Sequence, residues 1–388
     1  MIILPVNDSA TESEFLQVPL YMYKNDPSWI QPLDKDIRQV FDANKNKYFR
    51  FGTAQRWILK NEEDQLIGRI AAFVYKKYKN KGDQFKVGGI GFFECINDQD
   101  AADLLFDNAR HWLIKQDVQA MDGPINFGER DKWWGLLVEG FYEPLYGMNY
   151  NPPYYKSLFE QYGFKPFYNQ ICMGMDLRNP LSERIHQRHT LIANDPAFSA
   201  KYIQKNDLKT YANHFAEVYN KAWAGHGGMK QISAEQVQIM FKQMKPVMDE
   251  RIIWFAYHEE QPIAMFINLP DINRWFKHLH GKFGILQKLK FLWNKTTQKN
   301  PKMTGLVFGV VPEFQGKGVD AYLIYESKTY FEKNIPHYTD FEMQWIGDFN
   351  PKMLNIARTL GDTFPSRKLT TYRYNFDRTL PFERHPVF

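Results

Sequence analysis

The sequence predicts an α/β (α+β) fold built as two tandem units, each a mixed central sheet flanked by helices. Three observations predict it. The same order of elements is read twice along 388 residues: helices, a hairpin, a strand, a helix, a strand, a helix and a last strand. Each hairpin is a pair of apolar runs around a short polar turn, and strand–helix alternation follows it. In the second copy, "GVVPEFQGKGVDAYLIYESKTYF" reads as a strand, a glycine-rich loop and a helix, an arrangement that suits a phosphate.

In the first unit, residues 11–23 form a polar amphipathic stretch, followed by an irregular region rich in Pro, Asp and Asn. "AQRWILK" and "LIGRIAAFVY" around "NEEDQ" make the hairpin, and "KVGGIGFFECI" is a further strand. "DQDAADLLFDNARHWLIKQ" has apolar residues at helical spacing and Asp at its start, where the helix dipole favours it. "QAMDGPINF" is a short strand. "PPYYKSLFEQYGF" is a helix opened by Pro and closed by Gly, and "FYNQICMGMDL" alternates as a strand.

The second unit repeats this order. "NDLKTYANHFAEVYNKAWA" and "SAEQVQIMFKQMKPVM" are helices, the latter with a Ser N-cap. "RIIWFAYHEEQPIAMFINL" is the hairpin, turning at "HEEQP", and "MTGLVFGVV" is the strand before the loop. "YTDFEMQWI", "NPKMLNIARTLG" and "RKLTTYRYNF" complete it as strand, helix and strand. The polar run "LRNPLSERIHQRH" separates the units, giving domains 1–180 and 181–388.

Three readings of "VPEFQGKGVDA" compete. A Walker A loop fails, because Gly316-Lys317 is followed by Gly318 and no Gly stands five positions before Gly316. A loose dinucleotide fingerprint, Gly316-x-Gly318-x-x-Ala321 with Asp340 or Glu342 beyond, fits the spacing. Against it, "PEFQ" intervenes between strand and glycine, and an antiparallel hairpin precedes. The third reading rests on Val310-Val311-Pro312 leading into Gln315-Gly316-Lys317-Gly318-Val319-Asp320. This resembles the acyl-CoA loop of the GNAT (GCN5-related) N-acetyltransferase superfamily. A glycine turn that holds no ligand is the plainer alternative.

The resemblance covers most of the chain. It implies two tandem GNAT-like domains and transfer of an acetyl or other acyl group from acyl-CoA to a small amine. It implies a cofactor site at Val310, Val311, Gln315, Gly316, Lys317, Gly318, Val319 and Asp320, with the pyrophosphate on the backbone N–H groups between Gln315 and Asp320 and Asn350 touching the pantetheine arm. Unpaired N–H groups at a helix start carry partial positive charge, and Gly removes the Cβ that would hold a phosphate off.

The departures are informative. Asp320 stands where the family has Gly or Ala. The first unit reads "CINDQDAAD" at the loop position, where Asp98 and Asp100 would repel a pyrophosphate, so that unit is expected to bind no CoA. The family's Tyr general acid matches Phe159 and Ala357, neither of which gives a proton.

Acceptor-side candidates are Trp223 and His226 in "NKAWAGHGGMKQIS", and Asn126, Tyr150, Asn151 and Tyr154 in the aromatic stretch 122–164. Glu342, on one strand face with Gln344 and expected to be buried with a raised pKa, is the candidate base alongside His226. A backbone N–H near Val310 is the candidate oxyanion donor. The plain alternatives are inter-domain packing for 122–164, a surface histidine for His226 and a structural ion pair for Glu342.

Residues 272–302 carry Arg274 and many lysines with no acid, which suggests a solvated lid or a surface helix that meets a membrane or an acidic partner. A net charge of +5 is too small to suggest nucleic acid, and none is expected. The two cysteines form neither a disulfide framework nor a metal set, and no metal is expected. No 18-residue apolar run and no secretory leader are read, so the cytoplasm is the expected compartment, with oligomeric state open. The alternatives to an acyltransferase are a non-catalytic acyl-CoA-binding protein and a Fem-type aminoacyl transferase.

Overall fold

The structure, a computed structural model, describes residues 1–223 and 231–387. The first unit opens with β1 (Ile2–Pro5), α1 (Ser9–Met22) and α2 (Asp34–Val40). The hairpin β2 (Gly52–Lys60) and β3 (Leu66–Tyr75) follows, then β4 (Val87–Cys95), α3 (Gln99–Ile114) and β5 (Ala120–Gly123). It closes with β6 (Leu136–Glu139), α4 (Tyr155–Tyr162) and β7 (Lys165–Asp176), and α5 (Glu183–Thr190) links it onward. The second unit has β8 (Phe198–Tyr202), α6 (Leu208–Trp223), α7 (Ala234–Met244) and the hairpin β9 (Ile253–His258) and β10 (Gln261–Pro270). Then come α8 (Asn273–Phe276), α9 (Ile285–Thr297), β11 (Lys302–Val310), α10 (Val319–Asn334), β12 (Asp340–Gly347), α11 (Pro351–Arg358) and β13 (Thr363–Asn375).

Local chemistry accounts for the boundaries. Asp8 and Ser233 each close a capping box with the residue three positions on, starting α1 and α7. The β9–β10 turn places Glu259 and Glu260 at φ 48° and 68°, the doubly left-handed turn that matches strand twist. Gly163 ends α4 at φ 107°.

Among the described residues, the thirteen strands form one mixed sheet in the order β1-β2-β3-β4-β5-β13-β7-β12-β11-β10-β9-β8, with β6 also pairing with β13. Read from either edge the pattern is the same: five strands of one unit, then the last strand of the other. β13 lies beside β5 and β7 beside β12. At the centre β7 and β13 run antiparallel from Thr363↔Met175 to Arg373↔Lys165. The units therefore exchange their terminal strands, and the sheet does not divide where the two sequence repeats meet.

The repeated order read from sequence is present, with two additions. The edge strands β1 and β8 are short and went unread, and segment 122–164 contributes β6. The basic segment 272–302 is helical. Its inner residues Ile272, Trp275, Phe276, Leu279 and Phe291 are buried together with Leu33 of the first unit. Its amide and lysine groups reach the same unit, Asn273 donating to the Pro144 carbonyl and Lys277 pairing with Glu143.

Candidate functional site

The site is built where β11 and β12 part. These parallel neighbours pair from Lys302↔Asp340 to Gly305↔Met343 and no further. Beyond that point β11 slips register against β10 between Ile267 and Asn268, so Leu306 is an extra residue in the strand. β12 slips against β7 between Met343 and Ile346. A bulge bends its strand away from a neighbour, and here both strands bend at one level. Past Gly305, β11 has no strand pairing toward β12 among the described residues, and Leu306, Val307 and Phe308 are all partly exposed.

At the end of β11 the chain turns through Pro312–Phe314 into the glycine loop. Gln315 donates its side-chain amide to the Val310 carbonyl (3.0 Å), tying the loop to the strand. Gly316 and Gly318 sit at φ 77° and 92°, where a Cβ is strained. The two differ in surroundings. An added Cβ at Gly316 meets nothing within 4 Å, whereas at Gly318 it would come within 2.7 Å of the Arg188 carbonyl. Gly318 is the N-cap of α10 and has no side chain to offer the first-turn N–H groups. Val319 is buried beneath them, and Lys317 lies over the Phe314 ring at 5.4 Å.

Asp320, the departure from the expected pattern, is neutralised. Arg188 of α5 donates to both of its carboxylate oxygens, at 2.8 and 2.6 Å. Sequence reading missed Arg188; its only signal was a basic run in the linker. Trp223, the last residue of α6, lies against β11, where Gly309 leaves room for its ring: a Cβ there would stand 2.2 Å from it. His226 lies outside the described residues.

In the first unit the corresponding place is filled. β4 and β5 also pair only briefly, from Val87↔Ala120 to Gly89↔Asp122. There the chain after β5 closes onto β4, with the Ile125 N–H donating to the Ile90 carbonyl at 2.7 Å. The start of α3 is capped by its own acid, Asp98 accepting from the Ala101 N–H at 2.8 Å.

Glu342 is buried, as expected, but its pKa runs opposite to expectation. Burial pushes it up, yet Arg367 and then Lys302 outweigh this and hold it below the ordinary glutamate value. Arg367 donates to it at 2.7 Å, Ser366 at 2.7 Å, and Lys302 stands at 2.5 Å. Nearby Asp271 has the property sought in Glu342: burial raises its carboxyl to about 6, with Lys302 opposing.

The other candidates divide. Tyr150 donates to Asp26 and packs in a cluster with Trp345 of β12, so it stands between the units. Asn151 is committed to both the N–H and the carbonyl of Leu137, and Tyr154 to the Cys95 carbonyl. Asn126 is buried with its side-chain oxygen unpartnered among the described residues. Asn350 caps α11 by accepting from the Met353 N–H. Phe159 and Ala357 are both fully buried. No group of three or more metal-ligating side chains occurs among the described residues.

No family profile matches the chain. It is 23% identical over 366 residues to a protein named bacterial ceramide synthase from Caulobacter vibrioides, covering 93% of this chain and 94% of that one. It is 24% identical over 352 residues to protein YghO of Escherichia coli, covering 89% and 88%. Among solved structures it resembles a tandem GNAT protein from the clavulanic acid biosynthesis pathway, with TM-score 0.54, 12% identity and 98% and 99% of the two chains covered. A GCN5-related glucosamine N-acetyltransferase region of a fungal β-N-acetylglucosaminidase gives TM-score 0.54 at 12% identity, over 96% of this chain and 38% of that one. With two units of matching topology and a likeness that runs from end to end, the chain has the tandem GNAT fold.

Proposed function

We propose that the protein is an acyl-CoA-dependent N-acyltransferase that joins a fatty acyl group to the amine of a long-chain amino alcohol. The observation that supports acyl transfer is the parting of β11 and β12 beside an uncapped, glycine-flanked helix start. In this reading the N–H groups from Gln315 to Asp320 hold the pyrophosphate, with Lys317 adding positive charge and Arg188 offsetting the Asp320 carboxylate. The N–H groups of β11 past Gly305 receive the pantetheine arm and the oxyanion. The acceptor class is suggested by the relative named bacterial ceramide synthase, matched over nearly its whole length; a ceramide is the amide of a fatty acid and a long-chain base.

The amine attacks the thioester carbonyl, the C–S bond breaks, and the ammonium proton leaves through water. A thiolate with a pKa of about 8.5 departs without a strong acid, which fits Phe159 and Ala357 at the positions matched to a Tyr. Glu342, locked between Arg367 and Lys302, is assigned to positioning β11, β12 and β13. Trp223 and Tyr150 are assigned to the acceptor side.

The test is thiol release and product mass with acetyl- and palmitoyl-CoA against long-chain amino alcohols, polyamines and amino sugars. Turnover with the long-chain amines is expected. Turnover with small amines alone removes the acceptor class and leaves acyl transfer. CoA binding without turnover on any amine favours a non-catalytic acyl-CoA-binding protein, a reading supported by the ion-paired state of Glu342.

A further inference from the structure

Helix α9 carries five large apolar side chains in solvent: Ile285, Leu286, Leu289, Leu292 and Trp293, each between 52% and 78% exposed. At about 100° per residue they share one sector roughly 120° wide. Phe291 and Asn294 lie on the opposite side and are buried. Lys288 and Lys290 fall on the two borders of the apolar sector, and both are exposed. Lys282 and Lys299 flank the helix ends. None of these four lysines has an acidic partner within ion-pairing distance among the described residues, and residues 272–311 contain no acid.

We propose that α9 is an interfacial helix that lays this face into the surface of an anionic phospholipid bilayer. An apolar sector with Trp at its edge and lysines along both borders buries its apolar side chains at the level of the headgroups and sets its charges among phosphates. A second copy of the chain is a poorer occupant, because facing α9 helices would bring like charges together. The helix is anchored for this task by Phe291 in the cluster shared with Leu33 of the first unit. Among the described residues no helix is long and apolar enough to cross a membrane, so the contact is superficial. It also has a consistent place in the fold. α9 precedes β11 and the glycine loop follows it, so bilayer and loop lie at opposite ends of a nine-residue strand. The inference stands on α9 alone and does not depend on the acceptor proposed above.

The test is co-sedimentation of the full chain with vesicles of phosphatidylcholine alone and with added phosphatidylglycerol, without acyl-CoA or amine. Binding to the anionic vesicles, weakened by salt, is expected. Combined Leu286→Ser, Leu289→Ser and Trp293→Ser is expected to lower it by at least about tenfold. Lys288→Glu with Lys290→Glu should abolish the preference for phosphatidylglycerol. All five positions are exposed, and circular dichroism reports that the variants stay folded. Absence of vesicle binding overturns the proposal, as does binding that the serine variant leaves unchanged. Concentration-dependent dimerisation lost in the serine variant, without vesicle binding, overturns it in favour of a second copy. Capture by an acidic protein without vesicle binding overturns it in favour of that partner.

Discussion

Arg188 and Asp320 form a two-pronged ion pair across the start of α10, joining the inter-unit helix α5 to the helix that carries the glycine loop. The carboxylate that sits at an unusual position in the loop is thereby matched, and a guanidinium is fixed beside the proposed pyrophosphate site. Arg188→Ala should lower CoA affinity by about tenfold, because it leaves the Asp320 carboxylate unmatched beside the phosphates. Removing the acid as well, with Asp320→Asn, should restore most of the loss. Titration calorimetry of the two variants decides it; an unchanged affinity in Arg188→Ala removes the residue from the site.

The contrast between the two loop glycines selects the informative substitution. Gly318→Val would collide with the Arg188 carbonyl, so its effect would mix folding with binding. At Gly316 a side chain points into open space, so Gly316→Val blocks approach to the loop without a collision; the strain of a β-branched residue at φ 77° is read separately from its urea midpoint. Loss of two hydrogen bonds to phosphate predicts a drop of about a hundredfold in CoA affinity. Asp100→Val in the first unit should leave affinity unchanged. Equal CoA affinity in Gly316→Val and wild type would remove the phosphate from this loop.

Glu342→Gln should act on stability more than on chemistry. It breaks a buried network and leaves Arg367 and Lys302 without their shared partner, a change that costs about 3–5 kcal/mol. The folded-state pKa of Glu342 lies below its unfolded value. Its stabilising contribution is therefore present above the ordinary glutamate range and lost as pH falls through the folded value. Urea midpoints measured across acidic pH should fall more steeply for wild type than for the variant. A variant of wild-type stability with a lost rate would return Glu342 to catalysis.

Asp271 predicts the opposite slope. Its carboxyl, near 6 in the folded protein, holds a proton more tightly there than in the unfolded chain. Its contribution is full below about pH 4 and declines as pH rises to 6, by on the order of 3 kcal/mol. Asp271→Asn should flatten that decline in the same urea series. An identical pH profile in the two proteins would contradict the raised value.

What the sequence made legible was local. Hairpins announced themselves through "NEEDQ" and "HEEQP", helices through caps at Ser233 and Gly163, and the loop through its own glycines. β1 and β8 were invisible because four or five residues are too few to show alternation. The exchange of β7 and β13 was invisible because strand patterns do not name their partners. Glu342 was rightly read as buried, but the sign of its pKa depends on Arg367, which is 25 residues away on the exchanged strand. Asn151 and Tyr154 looked free for a ligand, whereas the backbone of Leu137 in β6 and of Cys95 at the end of β4 takes up their polar groups.

The central claim is that acyl-CoA is held by the second unit alone, on backbone N–H groups between Gln315 and Asp320. Amide hydrogen exchange with and without CoA reads those groups directly. Protection is predicted in a peptide spanning 312–321 and along β11 past Gly305, with no change at 96–102, where Asp98 already caps α3. Protection at 96–102, or none at 312–321 when CoA is bound, would contradict the account.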